Sequence, residues 1–373
     1  MRVSGLRDGG GRVVIEVAGE RWRHAAVVEL VGEPSVVLGA GALGDALLAS
    51  SLLLAMRWGE PLEVDAPVSP RLLDAADTIQ DIFCTWDRAL RPTAPWYSRV
   101  ESVAPIAEEV GPERSDGRGT VCFFTGGVDS FHAALDSLEE LDALVYVHGF
   151  DVGLDDTPLR SEVSARLRAA AAGLGVDLLE VETDLRALGE ERGVGWPDQH
   201  GAALATVGLL LADRFDRILI PATHTYAHLE GLGSHPLLDP LWSTERVEVV
   251  HRGAAATRVD KVRALAELPA AREHLRVCWE NREGAYNCGR CEKCVRTGVA
   301  VRLAGAEGRF PSIPAPSLRQ VATASVTGRG SPWVELRQEA LRADADPKLR
   351  AGIEVALARH QARRAWRNRP WSR

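Results

Sequence analysis

The chain has 373 residues, 46% of them hydrophobic and 26% charged, with a formal net charge of −8. This length accommodates two or three domains and a sizeable core, and the negative balance excludes a general polyanion binder. The longest apolar stretch, near residues 45–56, is too short for a membrane span and ends at Arg57.

Residues 1–5, MRVSG, lack the apolar centre of a signal peptide, so a cytoplasmic address and no membrane partner are expected. Alternation in residues 12–17, RVVIEV, predicts a strand, and apolar spacing of three and four predicts helices over 40–58 and 69–89. Residues 1–115 therefore read as an N-terminal α+β domain with no motif that names its role. A polar, Pro-containing stretch at 104–119 reads as a linker. From Thr120 the pattern becomes strand–helix alternation: strands at 121–124, 144–147, 177–181, 217–220 and 246–250, helices at 130–141, 159–174 and 199–215. Such alternation predicts an α/β fold with a doubly wound parallel sheet, here over 116–275. A cysteine-bearing segment follows at 276–305, then a helical extension at 306–373 with a basic end. That end carries Arg359, Arg363, Arg364, Arg367, Arg369 and Arg373 with Trp366 and Trp371. It reads either as a solvated helix end or as a nucleic-acid contact, in which arginines meet phosphates and indoles stack on bases. The overall charge weighs against the second.

Residues 122–131 read CFFTGGVDSF. An apolar strand stops at two glycines, and a helix follows. Glycines let the backbone approach an anion, and the helix start adds N–H groups and a favourable dipole. Ser130 can cap the helix or donate to a phosphate; Asp129 can cap it or help hold Mg²⁺. No Lys-Ser/Thr pair follows, so this is not a Walker A loop, and the Gly-x-Gly-x-x-Gly spacing of dinucleotide folds is absent.

Four of the six cysteines crowd together as Cys278-x₉-Cys288-x₂-Cys291-x₂-Cys294. In a reducing compartment such a set reads as metal-binding. Four thiolates with no open position suit structural Zn²⁺; an iron–sulfur cluster or a redox thiol are the alternatives. Cys84 and Cys122 stand alone in apolar contexts and read as core.

Thr125-Gly126-Gly127-Val128-Asp129-Ser130 resembles the Ser-Gly-Gly-x-Asp-Ser loop of the N-type ATP pyrophosphatases (PP-loop proteins), with Thr125 keeping the first hydroxyl. The resemblance implies an adenine nucleotide α hydrolase-like (HUP) fold, ATP bound with Mg²⁺ on these six residues, and cleavage between its α- and β-phosphates. Loop and four cysteines together resemble the 7-cyano-7-deazaguanine synthase family over residues 120–303. Those enzymes adenylate a carboxylate, displace AMP with ammonia, and dehydrate the amide to a nitrile. By this resemblance Arg258 and Lys261 match a phosphate-proximal lysine, and Gln199-His200 takes the place of an Arg-Asn pair. His148-Gly149-Phe150-Asp151 departs from the family's Tyr-Gly-Gln signature, and Asp239–Ser243 from its substrate segment.

His148 and Asp151 follow the second α/β strand and are candidate ATP contacts, Asp151 toward Mg²⁺ or ribose. Strand ends face the ligand crevice in such sheets, so His200, His224, His228 and His235 are candidate substrate contacts. The resulting expectation is an AMP- and pyrophosphate-forming ligase. Its acceptor is a small or macromolecule-borne carboxylate or amide, its nucleophile is ammonia or another group, and it is a candidate homodimer. The alternatives are a thiolation-type enzyme acting on tRNA or a nucleobase, and a non-catalytic nucleotide binder.

Overall fold

The computed structural model describes residues 1–32, 36–39, 41–107 and 118–367. Most of the expected linker, and Arg369, Trp371 and Arg373, lie outside them. The N-terminal third folds as β1 (Arg2–Asp8), β2 (Arg12–Ala18), β3 (Arg23–Leu30), α1 (Leu43–Trp58), β4 (Leu62–Val64), α2 (Pro70–Leu90) and β5 (Ser102–Val103). The alternating unit follows as β6 (Gly119–Phe123), α3 (Val128–Asp136), β7 (Ala143–His148), α4 (Thr157–Leu174), β8 (Asp177–Thr183), α5 (Leu185–Glu191), α6 (Trp196–Leu210), β9 (Phe215–Pro221) and β10 (Glu248–Arg252). The remaining elements are helical: α7 (Arg258–Leu265), α8 (Pro269–His274), α9 (Glu292–Leu303), α10 (Leu318–Thr323), α11 (Ser331–Arg342) and α12 (Pro347–Arg367).

Local rules account for several boundaries. Ser69 caps α2 by accepting from Leu72 N, and Pro70 fills the first turn, where its missing N–H costs nothing. The expected helix over 130–141 stops at Asp136, and residues 138–140 tighten into a 3-10 turn. The expected helix over 199–215 runs from Trp196 to Leu210 instead. Its last predicted residue, Phe215, opens β9. The apolar run is buried in both elements, so hydrophobicity alone could not place the break.

The ten strands form one mostly parallel sheet in the order β10-β9-β6-β7-β8-β3-β2-β1-β4-β5. Strands β10, β9, β6, β7 and β8 run parallel. The N-terminal strands join them where β3 pairs antiparallel with β8, Val28 opposite Thr183 and Leu30 opposite Val181. The segment expected as an N-terminal α+β unit thus extends the α/β sheet. One core lies on the face covered by α1, α2 and α6, where residues such as Leu47, Leu52, Ile79 and Leu209 are buried. The opposite face holds a second core under α3, α4, α7, α9, α11 and α12. From β6 the chain moves to β7 on one side and later returns to β9 on the other. That makes the carboxyl end of β6 the topological switch point, where open α/β sheets bind ligands. Among the described residues no helix is long and apolar enough to cross a membrane.

Deleting residues 1–107 would leave the β8 edge unpaired and strip the apolar cover from α6. The 118–373 fragment is expected to aggregate or lack a cooperative melt by circular dichroism, whereas the full chain melts in one transition. A soluble fragment with full-length melting behaviour would contradict the shared sheet.

Candidate functional site

The loop after β6 closes on itself. Gly126 has φ +69°, the left-handed region that favours glycine, and a Cβ there would stand 2.7 Å from Leu167 Cδ2. Ser130 Oγ donates to Gly127 O at 3.2 Å and accepts from Thr125 N at 3.2 Å. Ser130 therefore ties the loop together. Gly127 is the N-cap of α3 and offers no side chain to its first-turn amides. Those N–H groups need an outside acceptor, which is the arrangement an anion exploits.

Asp129, in that first turn, is gripped by two cations from α7. Arg258 Nη2 donates to Oδ2 at 2.8 Å and Lys261 Nζ to Oδ1 at 2.9 Å. Lys261 Nζ also donates to Ala222 O, just beyond β9, at 2.7 Å. A capping box at Thr257 and Asp260 sets the start of α7, and Arg258 N donates to Glu335 Oε1 of α11 at 2.8 Å. Side-chain exposure is 2% for Lys261, 5% for Arg258 and 15% for Asp129. Burial alone would raise the Asp129 carboxyl, but Arg258 and Lys261 hold it well below the usual carboxylate range. Two further cations, Lys293 and Arg296 of α9, act on the same group of charges.

Buried Arg258 Nη1 has no hydrogen-bond partner. Bare helix amides, an orphaned guanidinium donor and four nearby cations together fit a polyphosphate. Each oxygen of Asp129 accepts from one cation.

Of the candidate histidines, His224 lies nearest these charges. Burial lowers its pKa, Arg296 and Arg258 lower it further, and Glu230 and Asp129 act in the other direction. Glu230 is fixed by Arg329 N at 3.1 Å and Ser331 N at 3.2 Å. His228 bonds Thr225 within its own loop. His200 and His235 belong to another cluster on the α2–α6 face. His200 Nδ1 meets the Trp196 and Pro197 carbonyls, and His235 packs edge-on to Trp86 at 4.9 Å. The neighbouring buried Asp239 pairs with His251 Nδ1 at 2.6 Å. The structure therefore does not gather the four histidines around one point.

His148 lies in a polar knot. Its Nδ1 accepts from Arg160 Nε at 3.4 Å, so Nε2 donates to Glu180 Oε2 at 2.8 Å. Asp151 is joined through its carbonyl to Asn281 Nδ2 at 2.8 Å, in the segment after Cys278.

The four cysteine sulfurs all lie within 4.8 Å of one another. Cys278 Sγ is 3.9 Å from Cys291 Sγ, and Cys288 Sγ is 4.0 Å from Cys294 Sγ. A tetrahedron with Zn–S bonds near 2.3 Å has S···S edges of about 3.8 Å, so the set is positioned to hold a metal ion and is consistent with structural zinc. Asn287 Oδ1 accepts from Val277 N and Cys278 N, fixing the first ligand. Cys291 caps α9 and accepts from Cys294 N, fixing the last two. Among the described residues no other His/Cys/Asp/Glu group has metal-ligating geometry.

Lys293, Arg296 and Glu335 were not singled out from sequence as charges of this site. The usable signal was that Lys293 and Arg296 share the first turns of the helix that Cys294 anchors. Comparison with known protein families, with curated proteins and with solved structures found no match.

Freshly purified protein is expected to carry about one zinc per chain by elemental analysis, and Cys294→Ser to lose it. A His whose folded pKa is depressed stabilises the fold above its unfolded value of 6.5 and loses that contribution as pH falls through the folded one. His224→Gln should therefore lose less stability than wild type on acidification from pH 7 to below 6.5. Denaturant midpoints across that range provide the check, and identical losses would contradict a neutral buried His224.

Proposed function

We propose that this protein is an ATP-dependent ligase. It cleaves ATP between the α- and β-phosphates, forms an adenylate on a carboxylate or amide oxygen, and passes the activated group to ammonia or another nucleophile. The observation that carries this reading is the Asp129–Arg258–Lys261 clamp beside an uncapped Gly-Gly helix start at the switch point of the sheet. The likeness of the loop to those of PP-loop ATP pyrophosphatases turns "anion" into ATP.

In this reading the loop amides from Gly126 to Val128 receive the terminal phosphates. Lys261 and Arg258 offset the charge that grows on the departing pyrophosphate. Asp129 is a positioning residue that keeps both cations at the loop. The acceptor oxygen forms a bond to the α-phosphorus as the bond to the bridging oxygen breaks. Ammonia then forms the C–N bond, and AMP leaves with the acceptor oxygen. Much of the rate comes from holding the reactants in line. Zinc, when bound to the four thiolates, supplies a cross-link and no open coordination position.

A nucleic-acid-borne acceptor is the second reading. It is favoured by the exposed Arg359, Arg363 and Arg364 on α12 and by Trp366, 64% exposed near its end. Sulfur transfer is disfavoured, because it needs a reactive thiol outside the four-cysteine set. Burial in β6 pushes the Cys122 thiol up to about 12, and burial also raises Cys84.

Incubation with α-labelled ATP, ammonium and a panel of small carboxylic acids should release AMP and pyrophosphate. ADP and phosphate as products would exclude the proposal. Asp129→Asn keeps the side-chain shape but loosens both cations, and AMP formation should fall by about 100-fold or more with zinc content unchanged.

A further inference from the structure

Two chain segments run from the four-cysteine centre directly into the anion site. The first precedes Cys278: Arg276 N donates to Gly126 O at 2.8 Å, and Arg276 O would lie 3.6 Å from a Cβ on Gly127. Arg276 thus braces the backbone of Gly126 and passes close to Gly127, two residues before Cys278. The second segment is the start of α9. Cys291 caps it, Cys294 lies in its first turn, and Lys293 and Arg296 flank Cys294. Lys293 acts electrostatically on Asp129, and Arg296 on both Asp129 and Arg258.

Arg258 and Arg296 form a like-charged pair, each more than nine-tenths buried. Arg258 Nη1 has no partner, and Arg296 Nε sits 3.3 Å from Glu292 Oε1 without hydrogen-bond geometry. The anions beside them are already engaged. Asp129 holds Arg258 and Lys261, Glu292 accepts from Trp333 Nε1 at 2.7 Å, and Glu335 accepts from Arg258 N. The orphaned Arg258 donor, beside a second buried guanidinium, calls for an additional anionic ligand.

From this we infer that Lys293 and Arg296, with Arg258, make a second phosphate seat facing the Gly-Gly loop across Asp129, and that the four-cysteine centre sets the geometry of both seats. Metal occupancy thereby governs pyrophosphate affinity. The centre is a positioning device for the site as well as a cross-link. This deepens the function proposed above and rests on it.

The test is calorimetric binding of inorganic pyrophosphate to three forms of the full chain: metal-loaded wild type, chelator-stripped wild type, and metal-loaded Lys293→Gln. Lys293 is half-buried, so its replacement should spare folding. Lys293→Gln should keep the metal and the melting temperature yet bind pyrophosphate about tenfold more weakly. Stripped protein should also bind more weakly, with faster hydrogen exchange at amides 124–131. If loaded wild type binds pyrophosphate and both other forms match it, this inference falls and the proposed function stands. If loaded wild type binds none, both fall. Global unfolding on stripping would overturn the metal linkage and leave Lys293→Gln to decide the second seat.

Discussion

Two buried cations of α7 and the carboxylate they grip at the first turn of α3 constrain everything around them. Removing Lys261 and Arg258 from water costs several kcal/mol per ion, so both need fixed partners. Asp129 supplies one oxygen to each, and the carbonyl of Ala222 takes a second Lys261 proton. Meeting those distances simultaneously fixes three elements: the end of β9, the start of α7 and the start of α3. The fixed backbone N–H of Arg258 then brings α11 into the arrangement through Glu335. The C-terminal helices are therefore part of the wall behind the candidate site.

The sheet provides the rigidity this clamp needs. Asp129 and Lys261 stand 132 positions apart in sequence and meet only because β6 and β9 are hydrogen-bonded neighbours. The N-terminal strands add five more members and a second buried face. They contribute none of the clamp's charges. Their effect on the site runs through β8 and α6, which they cover. The His200–His235 cluster lies on their side, where Trp86 of α2 meets His235.

Much of the α/β unit was legible because its signals are local. Continuous apolar runs gave the parallel strands, and two glycines before Asp-Ser gave the loop. Three cysteines at spacing three lie in a turn that opens a helix, and Cys278 comes from a segment whose distance only the fold could supply. The β3–β8 pairing was not legible: it joins residues about 150 positions apart, and nothing in either strand names its partner. His148 illustrates a different limit. Its position at the end of a buried strand placed it correctly at the carboxyl edge, but its contacts there with Glu180 and Arg160 were not legible. The pairing of Asp129 with Arg258 and Lys261 was not legible either, because those partners lie far off in sequence. Lys293 and Arg296 went unremarked because, beside four cysteines, they look like ordinary helix-surface charges.

The clamp also bears on how a ligand would leave. Without an anion on the loop, Asp129 pairs with both Arg258 and Lys261 and offsets one of their two charges, so neither buried cation is left without a partner. An arriving polyphosphate must share those cations with Asp129, and the loss of that internal pairing offsets part of its binding energy. A site built this way gives up ground-state affinity and holds its donors in place, and that favours turnover over tight retention of pyrophosphate. That weighting suits the proposed ligase, which must release a highly charged product on every cycle, better than it suits a non-catalytic binder. In the proposed reaction Asp129 acts at both ends of the cycle: it aims Arg258 and Lys261 at the incoming phosphates and reclaims them when pyrophosphate departs.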